Sequence, residues 1–372
     1  MEIIMSKVKV IGIDARLINH PGIGRYIRSN LNSMLAIQSE FDFVLIGKEV
    51  DLGVYKSNPR IKIRSCEIPI YSLKEQWSMT RYFDDIDLAH IPHFNAPLGL
   101  NCPMLVTIHD LIYFHFKEYE PFFGARMLLW WKHQLLLSKA HSIIAVSEAT
   151  KSDLVDFFPG IKKKIQVIHE AGQGEMMGDI RQDASILESL SIHKPYFLSV
   201  GSIREHKNIH RLLEAYCLAR KRQKIDAELV IVGRLDKRFA KRHKFNDWLQ
   251  KDSGIRYLGE VDDNTLGALY RSSHCFVMPS LIEGFGLPVL EAMDSKIPVI
   301  ISDAPCLTEI AQDAALVFGR TQVDELATLL YNVLQNKDLR QTLIDKGLKR
   351  VKDFAWEKSA ESTLKLYRKI LC

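Results

Sequence analysis

Two carboxylates eight residues apart, Glu283 and Glu291, bracket the string Glu283-Gly284-Phe285-Gly286-Leu287-Pro288. A carboxylate accepts hydrogen bonds and a vicinal diol donates them, so the pair suits the hydroxyls of a sugar or a ribose. The glycine turn leads into a helix with Pro288 at a first-turn position, where a missing N–H costs little. The amides of Phe285, Gly286 and Leu287 therefore sit at a helix N-terminus, a place for anionic phosphate. The alternative is structural: the glycines serve the turn, and Glu291, in the first turn, complements the helix dipole. Arg204 and Lys207 stand three apart after the apolar run Tyr196 to Val200, at the end of a strand and the start of a helix, where the plain reading is a charged loop surface. His109 ends the run Pro103 to Ile108. A side chain at the C-terminal end of a strand in an open α/β sheet points into the crevice where ligands bind, and the alternative for a lone histidine is a satisfied structural residue.

These groups need strands and helices to hold them. Short apolar runs read as buried strands at Val8–Ile13, Phe41–Ile46, Arg60–Ser65, Leu88–Ile91, Pro103–Ile108, Ser142–Val146 and Lys164–His169. A polar segment, Gln173 to His193, reads as a linker. The strand pattern restarts at Tyr196–Val200, Ala227–Gly233, Ile255–Leu258, His274–Met278 and Pro298–Ser302. Helical periodicity lies between strands: from Gly24 with Ile27, Leu31, Met34 and Leu35 on one face, over Glu118–Leu137, after the Ser147 cap, over Arg234–Lys251, over Leu326–Asn336 and Leu339–Lys352, and over Trp356–Leu371. Strand and helix alternating twice over predict two doubly wound, Rossmann-like α/β domains. We place them at residues 1–175 and 190–355, followed by a terminal helix at 356–372.

Composition narrows the function. A chain of 372 residues exceeds what one core usually serves. No apolar run reaches membrane-spanning length, and no secretory leader is legible, so a cytoplasmic protein is expected. A net charge of +5 is too weak to argue for nucleic acid and is compatible with anionic donors and anionic lipid. The cysteines form no CxxC pair, which suits reduced thiols. Asp84-Asp85-Ile86-Asp87 contains an Asp-x-Asp, but it precedes a short strand as loop and cap chemistry would, so no metal is implied. Lys56, Arg60, Lys62 and Arg64 are a solvated basic edge or a surface for anionic lipid. The aromatic helix 118–137, with Phe122, Phe123, Trp130 and Trp131 among Arg126, Lys132 and His133, either packs on the sheet or lies at a membrane interface.

The string Ser280-x-x-Glu283-Gly-Phe-Gly-Leu-Pro-x-x-Glu291-Ala resembles the Glu-x7-Glu signature of the retaining glycosyltransferases of family 4, which have the GT-B fold. Val200-Gly201-Ser202 followed by Lys207-Asn208, Thr107-Ile-His109-Asp110-Leu111, and Ala145-Val-Ser147-Glu148-Ala-Thr-Lys151 carry the same likeness. The resemblance implies two Rossmann-like domains facing a cleft and a nucleoside-diphosphate sugar as donor. It implies Arg204 and Lys207 on the diphosphate, Glu283 on sugar hydroxyls, Glu291 on the ribose diol, and Ser202 and the 285–287 amides beside the donor. His109 then contacts the sugar from the first domain, and Gly24, in a loop lacking a dinucleotide fingerprint, brings backbone near the diphosphate. No cofactor and no metal are implied. The openings Gly12-Ile-Asp14-Ala-Arg16 and Pro21-Gly22-Ile-Gly24-Arg-Tyr26 look like those of bacterial mannosyltransferases of polysaccharide assembly, implying GDP-mannose and a glycan or lipid-linked acceptor. UDP-glucose or UDP-N-acetylglucosamine is the alternative donor, and a non-catalytic nucleotide-sugar-binding module the alternative function. An NAD-dependent dehydrogenase is disfavoured by the absent three-glycine fingerprint. Where relatives carry Pro-Asn-Gly or Pro-Glu-Gly, this chain has His169-Glu170-Ala171-Gly172, which removes support for a donor role there.

Overall fold

A computed structural model describes residues 8–37, 40–120, 124–172, 179–252 and 254–372. The chain divides into two units. The first comprises Met1–Phe114, Tyr119–Glu170 and Trp356–Cys372; the second comprises His115–Glu118 and Ala171–Ala355.

In the first unit, β1 (Lys9–Asp14), β2 (Phe41–Gly47), β3 (Ile61–Ser65), β4 (Leu88–Ile91), β5 (Met104–Ile108), β6 (Ser142–Ala145) and β7 (Ile165–Val167) form a parallel sheet in the order β3-β2-β1-β4-β5-β6-β7. The central strands β4, β5 and β6 are buried at every residue, as a parallel sheet covered on both faces requires. That is why they read as apolar runs without alternation. The helix Ile23–Ala36 buries Ile27, Leu31 and Met34 as its periodicity predicts, together with Tyr26, Ser29 and Asn30, while Leu35 stays half-buried. The polar members of that face have a partner in the terminal helix Trp356–Leu371, which belongs to the first unit: Asn30 Nδ2 donates to Thr363 Oγ1 at 3.4 Å, and Tyr367 is fully buried.

The second unit repeats the plan. β8 (Tyr196–Val200), β9 (Glu228–Val232), β10 (Ile255–Gly259), β11 (Cys275–Met278), β12 (Val299–Ser302) and β13 (Leu316–Phe318) are parallel in the order β10-β9-β8-β11-β12-β13. Each sheet thus reverses its strand order once, between β1 and β4 and between β8 and β11. In doubly wound sheets ligands bind at this reversal, outside the carboxyl ends of the strands.

Several elements differ from expectation. The predicted helix over Arg234–Lys251 is two helices, Lys237–Arg242 and Phe245–Lys251. Asp236 caps the first by accepting from the amides of Arg238 and Phe239, and Lys244 in the left-handed region (φ 47°) breaks the run. The many basic residues of this stretch suggest a solvated face, but Phe239 and Phe245 are buried in the core. Part of the predicted linker is a helix, Asp183–Ser189, held by a two-pronged pair between Asp183 and Arg271 (2.6 and 2.8 Å); residues 173–178 of that linker lie outside the described residues. The aromatic helix starts at Ala125 and runs to Lys139, while Phe122 and Phe123 lie outside the described residues. Glu291 is the fifth residue of its helix, Leu287–Asp294, one turn further in than expected. The strand β13 has no counterpart in the sequence reading.

Of the Asp-x-Asp, Asp87 accepts from Lys9 Nζ at 3.0 Å and from the Val10 amide at 2.8 Å, tying the start of β4 to β1. The basic edge is largely tied down too. Lys56 pairs with Glu49 at 2.9 Å, Arg60 donates to the Leu35 carbonyl, and Arg64 donates to the Tyr82 and Asp84 carbonyls at 2.7 and 2.6 Å.

Candidate active site

At the strand reversal of the second unit, β8 ends at Val200 and the chain turns at Gly201 with φ 142°. That positive φ favours glycine at Gly201, and Gly233 must be glycine because a β-carbon there would stand 2.1 Å from the Gly201 carbonyl oxygen. The single turn Glu205–Lys207 follows, closed by Asn208 in the left-handed region (φ 57°). Asn208 is fully buried and its amide donates to the carbonyls of Pro279 (2.8 Å) and Arg320 (2.9 Å). The Leu281 amide donates to the His206 carbonyl at 2.7 Å. These bonds fasten the loop after β8 to the loop after β11.

The result is that Lys207, reached along one loop, meets Glu283, reached along the other: Nζ to Oε1 is 2.7 Å, with side-chain exposures of 15% and 8%. An ammonium carries three donors, so Lys207 keeps hydrogen-bonding capacity while it holds Glu283. A small cleft lined by Ser199, Gly201, Lys207, Met278, Pro279 and Ser280 opens here. Ser202, the residue after Gly201, is half-buried, and Arg204 is exposed, with no acidic partner among the described residues.

After Glu283 the chain makes the Gly284-Phe285-Gly286 turn. Phe285 is buried against Phe354 (5.8 Å between ring centres) and its carbonyl accepts from Cys306 Sγ at 2.8 Å, which anchors the turn. Gly286 has φ 105° and starts the helix Leu287–Asp294. The amides of Gly286 and Leu287 have no acceptor among the described residues, and Pro288 has no N–H to satisfy. Two amides are thus left for an anion at a helix N-terminus. Within that helix Glu291 is buried and accepts from the Tyr270 hydroxyl at 2.9 Å. A buried, fixed carboxylate is not a surface complement to the dipole.

The first unit holds His109 just beyond β5. Its Nδ1 lies 2.7 Å from Glu170 Oε1 and its Nε2 lies 3.0 Å from the Pro92 carbonyl. Both neighbours can accept, so the surroundings favour the imidazolium, which donates from both ring nitrogens. Burial acts to lower its pKa, but the hydrogen bond and charge of Glu170, then the Pro92 carbonyl and Asp110, outweigh burial and the pKa is raised. Tyr26 meets the ring edge-on at 5.0 Å. Beneath it, Tyr26 and His90 share the Thr107 hydroxyl (3.1 and 2.9 Å), and His90 takes its other bond with Tyr367 at 2.6 Å. Burial and the charge of His109 push His90 down to about 3, so it is neutral. Gly24 is glycine because a β-carbon would stand 2.3 Å from the Ile18 carbonyl; the close approach there is to its own loop.

The structure therefore brings Lys207 and Glu283 into contact, with the free amides of Gly286 and Leu287 in the same loop as Glu283. It buries Glu291 one helical turn further on. His109 and Gly24 belong to the first unit. Sequence reasoning missed Glu170, Asn208 and Tyr270. Glu170 left a signal as the acidic residue of the departure at 169–172, and Asn208 as the residue after Lys207 in the string that carries the family likeness; Tyr270 left none.

Comparison with known proteins agrees with this layout. Residues 40–171 match the family model described as Glycosyltransferase Family 4, and residues 186–350 match Glycosyl transferases group 1. The O-antigen chain mannosyltransferase B of Escherichia coli is 30% identical over 303 residues, spanning 80% of this chain and 78% of that protein. The chain belongs to glycosyltransferase family 4. The O-antigen chain mannosyltransferase RfbU of Salmonella typhimurium is 27% identical over 264 residues, 69% of this glycosyltransferase and 67% of the relative. In fold, the glycosyltransferase aligns with Anabaena Alr3699/HepE, solved in complex with UDP-glucose, at a TM-score of 0.75 and 14% identity, over 98% of this chain and 100% of that one. Its two parallel Rossmann-like sheets are those of the GT-B fold. Among the described residues, no helix is long and apolar enough to cross a membrane.

Proposed function

We propose that this glycosyltransferase is a retaining, metal-independent mannosyltransferase of surface polysaccharide assembly, taking mannose from GDP-mannose to a glycan or lipid-linked glycan. The observation that carries it is the Lys207–Glu283 pair, held at 2.7 Å in the loop that leaves the Gly286 and Leu287 amides free. As the glycosidic bond breaks, charge builds on the departing diphosphate. Lys207, Arg204 and those amides are fixed donors for that charge, so no cation is required. Glu283 holds sugar hydroxyls and Glu291 the ribose diol. The acceptor hydroxyl forms its bond to the anomeric carbon on the face the diphosphate leaves, and its proton passes to a diphosphate oxygen. His109 is the first-unit residue we assign to the donor sugar, with Glu170 as its positioning group. The choice of mannose rests on the two O-antigen mannosyltransferase relatives.

We further propose work at the cytoplasmic face of a membrane. The helix Ala125–Lys139 leaves Met127 (66%), Leu128 (65%), Trp131 (57%) and Leu135 (49%) exposed, with Lys139 exposed and Lys132 half-buried beside them. Apolar and basic residues together on a helix surface suit an anionic lipid interface.

A thermal-shift panel of GDP, UDP, ADP and NAD tests the donor, since a ligand of the folded state stabilises it by about 2.7 kcal/mol at a hundredfold excess over Kd. A shift with GDP, followed by release of GDP from GDP-mannose on addition of acceptor, is the expected result. A shift with UDP alone replaces mannose by a glucose-type sugar, and a shift with NAD alone overturns the proposal.

A further inference from the structure

A cluster of metal-ligating side chains lies in the second unit, outside the groups assigned to transfer. Glu205 comes from the turn after β8, His210 from the first turn of the helix Ile209–Gln223, and His243 from the end of the helix Lys237–Arg242. One ligand atom of each lies within 4.8 Å of the other two. The imidazoles of His210 and His243 are stacked, with ring centres 4.2 Å apart and planes 13° from parallel. His243 Nε2 lies 3.0 and 3.2 Å from the two oxygens of Glu205.

The bond to Glu205 accounts for His243 Nε2, but the ring stack leaves His210 without a polar contact for its Nδ1. That Nδ1 is buried and has no hydrogen-bond partner among the described residues. Buried polar atoms are nearly always satisfied, and one that is not calls for a ligand. Two imidazoles and a carboxylate are the donor set of zinc-class divalent ions, and three protein ligands leave a further position for water. Arg242 competes for the same carboxylate at 3.3 Å, but it also pairs with Glu118 at 3.1 Å and can be retained there.

We propose that Glu205, His210 and His243 form a transition-metal site that takes zinc or cobalt in preference to magnesium or manganese. Glu205 lies between Arg204 and Lys207 in sequence, but the loop that carries both cations is already fastened by Asn208 to the Pro279 and Arg320 carbonyls, so the ion is not needed to hold them. The ion is separate from the leaving-group chemistry, and the inference stands whether or not the donor assignment does.

The test uses full-length protein without a polyhistidine tag and with Cys372→Ser, so that the exposed thiol does not bind the probe. Cobalt is titrated in and followed by its visible absorption, and zinc is followed by calorimetry. One equivalent of each is expected to bind, with cobalt giving the intense bands of a four-coordinate site and zinc displacing it. His210→Phe, which keeps a ring on His243, and His243→Ala are each expected to weaken binding at least tenfold and abolish the cobalt bands, while far-ultraviolet circular dichroism stays unchanged. Absence of cobalt bands in the parent protein, or binding undiminished in both folded variants, overturns the site.

Discussion

Replacing Glu170 by glutamine tests whether His109 is held as a cation. The pair spans 2.7 Å, with side-chain exposures of 14% for His109 and 5% for Glu170. A hydrogen bond to a charged partner is worth about 1.5–3 kcal/mol, and one between neutral groups about 0.5–1.5 kcal/mol. Glutamine keeps an acceptor for Nδ1–H and loses the charge, so about 1–1.5 kcal/mol disappears while the ring is protonated. Because the folded-state pKa of His109 is raised above its ordinary 6.5, its contribution is fully present below pH 6.5 and fades as pH rises through the raised value. Above that point neutral His109 has one proton for two acceptors, whereas glutamine can donate its own amide. The variant is therefore expected to melt about 2–6 °C below the parent near pH 6, from about 2–4 °C per kcal/mol for units of this size. The gap closes on raising the pH to about 9. Melting curves across that range, with imidazole NMR shifts of His109 in the parent, measure both. A gap that is independent of pH, or a parent His109 that is neutral at pH 6, refutes the reasoning.

Lys207→Ala is expected to lower kcat about 100- to 1000-fold, since the lost charge acts on the departing diphosphate; steady-state kinetics that move KM alone would count against the clamp. Gly286→Ala puts a β-carbon 2.9 Å from Leu307 Cδ2 at φ 105°, and is expected to cost about 1–3 kcal/mol and to erase nucleotide-induced stabilisation; an unchanged melt with full nucleotide response would show that the turn has slack. EDTA is expected to leave turnover unchanged; complete inhibition rescued by manganese would return attention to Asp85 and Asp87.

The strands were legible because a parallel sheet covered on both faces makes them continuous apolar runs, and the terminal helix because its periodicity is strong. What escaped notice depended on contacts between distant residues. Asp183–Ser189 has weak periodicity and is held by Arg271, 88 positions away from Asp183. The break in 234–251 lies in one left-handed residue, Lys244, a conformation its type does not announce. The site divides the same way. Lys207, Glu283 and Glu291 stood out as chemical types at recognisable spacings. That Lys207 and Glu283 pair with each other, that Tyr270 holds Glu291, and that Asn208 fastens two loops are facts of topology. His109 was legible as a strand-end histidine, yet its charge is set by Glu170, 61 positions later.

The terminal helix gives the fold an order in time. Tyr367 reaches His90, and Trp356 lies 6.2 Å from Tyr26, so the core beneath His109 includes side chains from the far end of the sequence. During synthesis a domain generally folds as it emerges. Here the first unit leaves the ribosome early but lacks its last core residues until the whole second unit has been translated. Until then the hollow meant for Tyr367, Leu364 and Trp356 stands open, an apolar surface for a chaperone to cover. A stop codon just before Trp356 would spare the second sheet and unmake the first.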